Sequence, residues 1–204
     1  MTYPYEHAPR LPEGDTIDPR SLVKLGPGQR LELEIGPGRG WFLVERLEAA
    51  PEVCVIGLEV RRKWATVVDE RLAKRGLGDR SRVFAEDARL AIRRFPNACL
   101  SAAFVHFPDP WWKKRHHKRM VVTEELGAEL GRLLLPGGEL FVQTDVAERA
   151  VAYETALGAV EVLQPAGSDG SARIDENPFV ARSPRERRCM DDGLPIHRLL
   201  YRRR

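Results

Sequence analysis

With 204 residues, 43% hydrophobic and 31% charged, and a net charge of +3, the chain has the make-up of one globular domain and leaves little room for a second. It contains no apolar run near the roughly 18 residues of a membrane span, no signal-like hydrophobic N-terminus and no CxxC pair, which excludes the transmembrane and disulfide-framework classes and points to a reducing cytoplasm. The small net charge is unevenly placed, with basic clusters at 113–119, 182–188 and 202–204, and this favours a localised anionic partner.

Residues 1–20, rich in proline and polar groups, read as an irregular N-terminal arm, and residues 21–204 as a single domain. Tyr3, Tyr5 and His7 in the arm carry no signal that favours contact with a partner over disorder. After the turn Gly26-Pro27-Gly28, Arg30–Ile35 has strand character and runs into Gly36-Pro37-Gly38-Arg39-Gly40, followed by a helix from Trp41 to about Ala50. Val53–Leu58 is an apolar strand ending at Glu59, and 61–75 is helical with Trp64, Val67, Val68 and Leu72 on one side. Ser81–Ala85 predicts a third strand ending in Glu86-Asp87, with a short helix over 88–94, and Leu100–His106 a fourth strand. A helix from about 122 to 135 stops at Pro136-Gly137-Gly138, Glu139–Thr144 makes a fifth strand, and a helix follows over 146–157. Val160–Leu163 and Ile196–Tyr201 are expected to return as two edge strands, with the segment between them covering the site.

Strands alternating with helices at this spacing predict an α/β fold with a parallel sheet and helices on both faces, whose ligands bind beyond the carboxyl ends of the strands. Acids stand at those ends: Glu34, Glu59, Asp87, Asp109 and Asp145. Any one of them is compatible with a turn or a helix cap, Asp145 included, but five strands in a row ending this way point to a shared site.

The glycine loop has the spacing GxGxG, so the dinucleotide pattern GxGxxG is not met: Trp41 stands where the third glycine belongs. Glu34, two residues before Gly36, is ill suited to a pyrophosphate and well suited to a cationic cofactor. S-adenosylmethionine, with its sulfonium and ammonium, is such a cofactor, and Glu59, 19 positions beyond Gly40, falls where a ribose acceptor is expected. Further on, FPDPWWKKRHHKR holds Asp109 between two prolines, predicting a stiff extended turn, and then crowds five Lys/Arg and two His into positions 113–119. On its own such a run is compatible with a solvated face. Beside a carboxylate and the indoles of Trp111 and Trp112 it points to nucleic acid, with the cations on phosphates and an aromatic face on a base. His116 and His117 lack the third ligand of a metal site, His106 reads as a packed residue, and Cys54, Cys99 and Cys189 read as reduced thiols.

Taken in order and spacing, EIGPGRG, GLEV, EDA, FPDPWWKKRHHKR and QTD resemble the tRNA (guanine-N7)-methyltransferase family from about residue 31 to the C-terminus. The resemblance implies the Rossmann-like seven-stranded sheet of class I methyltransferases and transfer of a methyl group from S-adenosyl-L-methionine to guanosine N7 in tRNA, in the variable loop. It implies cofactor contacts from Glu34, Gly36, Gly38, Gly40, Glu59, Asp87 and Asp109, with Asp109 also catalytic. Lys113, Asp145 and Ser183, Pro184, Arg185 and Glu186 would hold the guanosine, and Lys114, Arg115, His116, His117, Lys118 and Arg119 the RNA backbone. No metal and no membrane is implied, and no pattern distinguishes a monomer from a homodimer. Ser183 replaces the family's threonine, Trp112 stands where proline or a polar residue is usual, and 167–176 has no counterpart. A methyltransferase of this fold with another RNA or small-molecule acceptor, and a non-catalytic RNA-binding module, are the alternatives.

Overall fold

The structure is a computed structural model and describes residues 5–108 and 121–204. Among the described residues eight strands form one sheet: β1 (Arg30–Ile35), β2 (Val53–Leu58), β3 (Ser81–Phe84), β4 (Leu100–His106), β5 (Leu134–Thr144), β6 (Leu163–Pro165), β7 (Arg173–Ile174) and β8 (His197–Arg203). Their order is β3-β2-β1-β4-β5-β8-β6, with β7 joining β8 off that path. The first five run parallel, and β8 enters antiparallel between β5 and β6. The chain reverses its direction of winding between β1 and β4, which opens a crevice at their carboxyl ends.

The helices are α1 (Trp41–Ala49), α2 (Arg62–Lys74), α3 (Ala88–Ala91), α4 (Glu124–Leu133), α5 (Ala147–Gly158) and α6 (Pro184–Asp191). All six residues of β2 are buried, as expected of a central parallel strand covered on both faces. On one face Leu31, Leu33 and Ile35 of β1 pack with Leu126 and Leu130 of α4 and Tyr153 and Leu157 of α5. On the other, Leu43 and Leu47 of α1 and Val68 and Leu72 of α2 cover Val53, Val55 and Val83. Beside them Phe42, Phe104, Phe141 and Phe179 form an aromatic cluster, with the Phe104 and Phe179 rings edge to face at 4.9 Å. The alternation of β1 therefore places two acids on the α1 face. Glu32 is matched there by Arg46 of α1, which donates to its oxygens at 2.8 and 2.6 Å.

Three elements differ from the sequence expectation. The fifth strand begins at Leu134, not Glu139: Leu134 pairs with Leu100, the ladder slips, and pairing resumes at Glu139 opposite Ala102. Pro136 has no N–H to give the ladder, so the intervening residues bulge out. The sixth strand begins at Leu163, since the Val160 N–H goes to the Leu157 carbonyl and the Leu163 N–H to that of Val160, making 160–162 a turn that ends α5. The Gly/Ser/Asp-rich stretch near 170 is a folded turn closed by Gly167 N–H to the Ser171 carbonyl, and it leads into β7.

The segment from Ala8 to Leu22 is irregular except for one 3-10 turn at Pro19–Leu22, and it is packed. Ala8, Leu11 and Ile17 are buried, the Ala85 N–H donates to the Pro9 carbonyl at 2.7 Å, and Arg10 grips Glu86 with two hydrogen bonds. Among the described residues no helix is long and apolar enough to cross a membrane.

A cleft at the carboxyl ends of the strands

Two adjoining cavities of 580 and 480 Å³ open over the ends of β1, β2, β3 and β4. They share Gly36, Arg61, His106, Phe107 and Pro108 and are two halves of one cleft. The smaller half runs past Glu59, Asp87 and Arg89, and the larger past Glu34, Asp145, Ser183, Pro184 and Arg185.

Glu34 lines the larger half, beside His106, which both halves share. Its side chain is 2% exposed, Oε1 lies 3.0 Å from Nδ1 of His106, and Oε2 has no protein partner. Burial holds its carboxyl above the usual carboxylate range, an effect that the His106 hydrogen bond opposes and the nearby Glu59 reinforces. His106 is wedged between Phe42 at 4.2 Å and Phe104 at 5.7 Å, so its ring is fixed, and its Nε2 is also buried without a partner. Two bare polar atoms at the floor of a cleft form a site that a polar, cationic ligand completes.

The glycine loop shapes the adjoining wall. Gly36 has a left-handed φ of 68°, and a Cβ there would meet nothing within 4 Å, so the protein itself makes no use of the open space. Glu59, 2% exposed, accepts from the Gly38 N–H at 3.0 Å and from the backbone and side chain of Arg61. It thus ties the loop to the end of β2. Asp87 caps α3 by accepting from the Arg89 N–H at 3.0 Å, and the Arg89 guanidinium holds its carboxyl below the usual range.

Across the cleft, Asp145 follows β5 and is held by Arg185 of α6, with Nε 3.0 Å from Oδ2 and Nη2 closer still. Ser183 caps α6, its hydroxyl accepting from the Glu186 N–H at 3.1 Å, and α6 begins with Pro184 in a position where a missing N–H costs nothing. Glu186 does not line the cleft. It is 0% exposed, with Oε1 at 3.0 Å from Arg198 and Oε2 at 2.9 Å from Asn177. Gln143, the strand neighbour of His106, is fully buried with both amide atoms unpartnered.

β4 leaves the sheet through Phe107, whose φ of 45° lies in the left-handed region that a phenylalanine rarely adopts. Phe107, the first residue of the stretch predicted as a stiff extended turn, is therefore not extended, and Asp109 and Pro110 lie outside the described residues. The Phe107 N–H donates to the Gln143 carbonyl at 2.8 Å, which ties this residue to β5.

Glu34, Gly36, Gly38, Glu59, Asp87, Asp145, Ser183, Pro184 and Arg185 thus converge on one cleft. Gly40 lies behind it, against α2. Asp109, Lys113, Lys114, Arg115, His116, His117, Lys118 and Arg119 lie outside the described residues. Among the described residues no cluster of three His, Cys, Asp or Glu is placed to hold a metal. Cys54, Cys99 and Cys189 are free and buried, and burial pushes the Cys99 thiol up to about 11. Sequence reasoning missed His106 as the partner of Glu34. The signal was there only in combination: both close strands that become neighbours, on the same side of the sheet.

A family model described as a putative methyltransferase matches residues 29–199. The chain is 42% identical over 176 residues to the tRNA (guanine-N(7)-)-methyltransferase of Anaeromyxobacter dehalogenans, covering 84% of this chain and 85% of that protein. To the protein of the same name from a Synechococcus strain it is 38% identical over 178 residues, covering 87% and 74%. Among solved structures, geranyl diphosphate C-methyltransferase from Streptomyces coelicolor shares the fold, with a TM-score of 0.60, 14% identity and coverage of 90% and 73%. TrmN from Thermus thermophilus gives 0.58, 18%, and 91% and 47%.

Proposed function

Since this chain belongs to the tRNA (guanine-N7)-methyltransferase family and is an S-adenosyl-L-methionine-dependent enzyme, we propose that it methylates N7 of a guanosine in the tRNA variable loop, with Asp109 as the catalytic residue. When bound, the cofactor would supply a methyl group on a sulfonium, which an unprotonated lone pair attacks in line without a strong base while the C–S bond breaks and the sulfur leaves as a thioether.

The residues of the cleft suit that cofactor. The bare oxygen of Glu34 answers an ammonium, the space above Gly36 admits the ligand close to the backbone, and Glu59 and Asp87 offer acceptors along the smaller half. His106, caged by aromatic rings, keeps the Glu34 carboxyl turned in one direction. The larger half receives the guanosine: Asp145 accepts from the donor edge of the base, and Ser183, Pro184 and Arg185 close over it. Lys113 completes that set, and Lys114 to Arg119 bind the RNA backbone. Glu186 acts from beneath, fixing α6 through Arg198 and Asn177.

N7 carries no proton at neutral pH, so Asp109 has no proton to remove there. Its task is to orient the base and to offset the positive charge that methylation leaves on the purine. We place this chemistry in one methyltransferase domain over residues 21–204, preceded by the arm, in the cytoplasm.

The observation that supports the reading most is Glu34, a buried carboxylate with one unpartnered oxygen, lining the cleft beside His106, which both of its halves share. The test is mass spectrometry of nuclease-digested tRNA after reaction. Wild type is expected to yield 7-methylguanosine from the variable loop, and Asp109→Ala to lose activity by at least about a hundredfold. Product at another position or base, or a fully active Asp109→Ala enzyme, overturns the reading.

A further inference from the structure

Outside the cleft, cations gather round two indoles on the faces of α1 and α2. Gly40 has no room for a side chain, since a Cβ there would lie 2.2 Å from Cγ1 of Val68. The loop therefore presses on α2 and carries its neighbours Arg39 and Trp41 against that helix. The Arg39 guanidinium and the Lys63 ammonium lie 5.4 and 5.5 Å from the centre of the Trp64 ring. Arg71 lies 4.7 Å from that of Trp41, which is 38% exposed.

Among the described residues Arg39, Arg62, Lys63 and Arg71 have no carboxylate at ion-pairing distance, whereas Arg75 at the end of the row is paired with Glu48. This face thus carries uncompensated positive charge, and such a field selects a polyanion. A guanidinium held over an indole keeps N–H groups that a phosphate can accept, although one N–H of Arg71 is already donated to the Arg39 carbonyl, and the side chain is ordered before anything binds. Arg39 also lines the acceptor half of the cleft, so the face runs on from the place where the guanosine enters.

We infer that the α1/α2 face is a second RNA-contact surface, gripping tRNA phosphates near the target guanosine and separate from the basic run at 113–119. The inference rests on the reading of the cleft given above and extends it to a surface that shares only Arg39 with the motifs of the sequence. Its contacts go to the backbone and supply affinity without base specificity.

The test compares wild type, Arg62→Glu/Lys63→Glu, and the control Lys24→Glu/Arg93→Glu, which reverses two exposed cations away from this face. Binding of bulk tRNA is measured by fluorescence anisotropy over a series of salt concentrations, cofactor binding by calorimetry, and 7-methylguanosine by mass spectrometry. Arg62→Glu/Lys63→Glu is expected to bind tRNA at least about tenfold more weakly, with a salt slope reduced by about two, and to bind cofactor as wild type does. The control is expected to stay within about twofold of wild type. Unchanged tRNA affinity and salt slope in Arg62→Glu/Lys63→Glu, or an equal loss in the control, overturns the inference. If wild type still forms 7-methylguanosine in that case, the reading of the cleft stands and only the second surface falls. If wild type neither binds nor methylates tRNA, both fall.

Discussion

Glu34 and Glu186 are buried glutamates on opposite sides of one cleft, 2% and 0% exposed, and their surroundings differ in kind. Glu186 has both oxygens engaged, by Arg198 and Asn177, and its backbone N–H is held by Ser183. Glu34 has His106 and one bare oxygen. A carboxylate out of water is costly unless its charge and lone pairs are matched. Glu186 is matched within the protein and serves as a brace, whereas Glu34 is half matched and leaves the rest to a ligand. For these two glutamates burial alone does not separate structure from function, but the count of partners does.

The largest effect on stability is expected from the brace. Glu186→Ala leaves the Arg198 guanidinium, 11% exposed, as an uncompensated buried charge and should lower stability by about 3–5 kcal/mol, read as a lowered denaturation midpoint. Cofactor affinity of the folded fraction should be retained. A variant of normal stability would erase the distinction between the two glutamates.

Glu34→Gln should do the reverse. An amide avoids the desolvation of a charge, so stability should hold or rise, while cofactor affinity falls at least about thirtyfold, measured by calorimetry. The pH dependence sharpens the point. Burial raises the Glu34 carboxyl, so the folded, cofactor-free protein binds that proton more tightly than the unfolded chain does. The resulting stabilisation is complete below the unfolded value and is lost as pH rises through the folded one. A cationic cofactor needs the ionised form, so its affinity should rise with pH over the same window, by up to about tenfold per unit, and Glu34→Gln should flatten the profile.

The smallest effect is expected at Arg185, whose pair with Asp145 is partly exposed, at 41% and 21%. Arg185→Ala should change stability by less than about 1 kcal/mol. It should raise KM for tRNA and leave KM for the cofactor near wild type, which steady-state kinetics in both substrates resolves.

Much of this was legible in the sequence where local pattern decides. β1 and β2 end where an apolar run meets a glycine or an acid, and β4 just before Phe107-Pro108, because a parallel central strand needs little besides its own side chains to be recognised. Of the acids at the strand ends, Glu34, Glu59, Asp87 and Asp145 were likewise legible as a set, and Asp109 lies outside the described residues. What escaped was set by register and long-range contact. His106 read as a packing residue because nothing in its neighbourhood announces that Glu34 becomes its partner from 72 positions earlier. Glu186 read as a cleft residue because a buried brace and a surface ligand look alike until Arg198 is brought beneath it. β7 is two residues long and exists only because β8 is there to pair with it.

The arm's attachment has a kinetic corollary. Arg10 and Glu86, whose pair borders the smaller half of the cleft, are 76 positions apart, so this seam closes only once the intervening strands and helices are assembled. Arg10 lies at the surface, whereas Ala8, Leu11 and Ile17 bury the apolar side of the segment and the Ala85 N–H holds the Pro9 carbonyl. The wall beside Asp87 thus rests on a contact between distant stretches of the chain, and a ligand that leans on it favours the state in which the arm is docked.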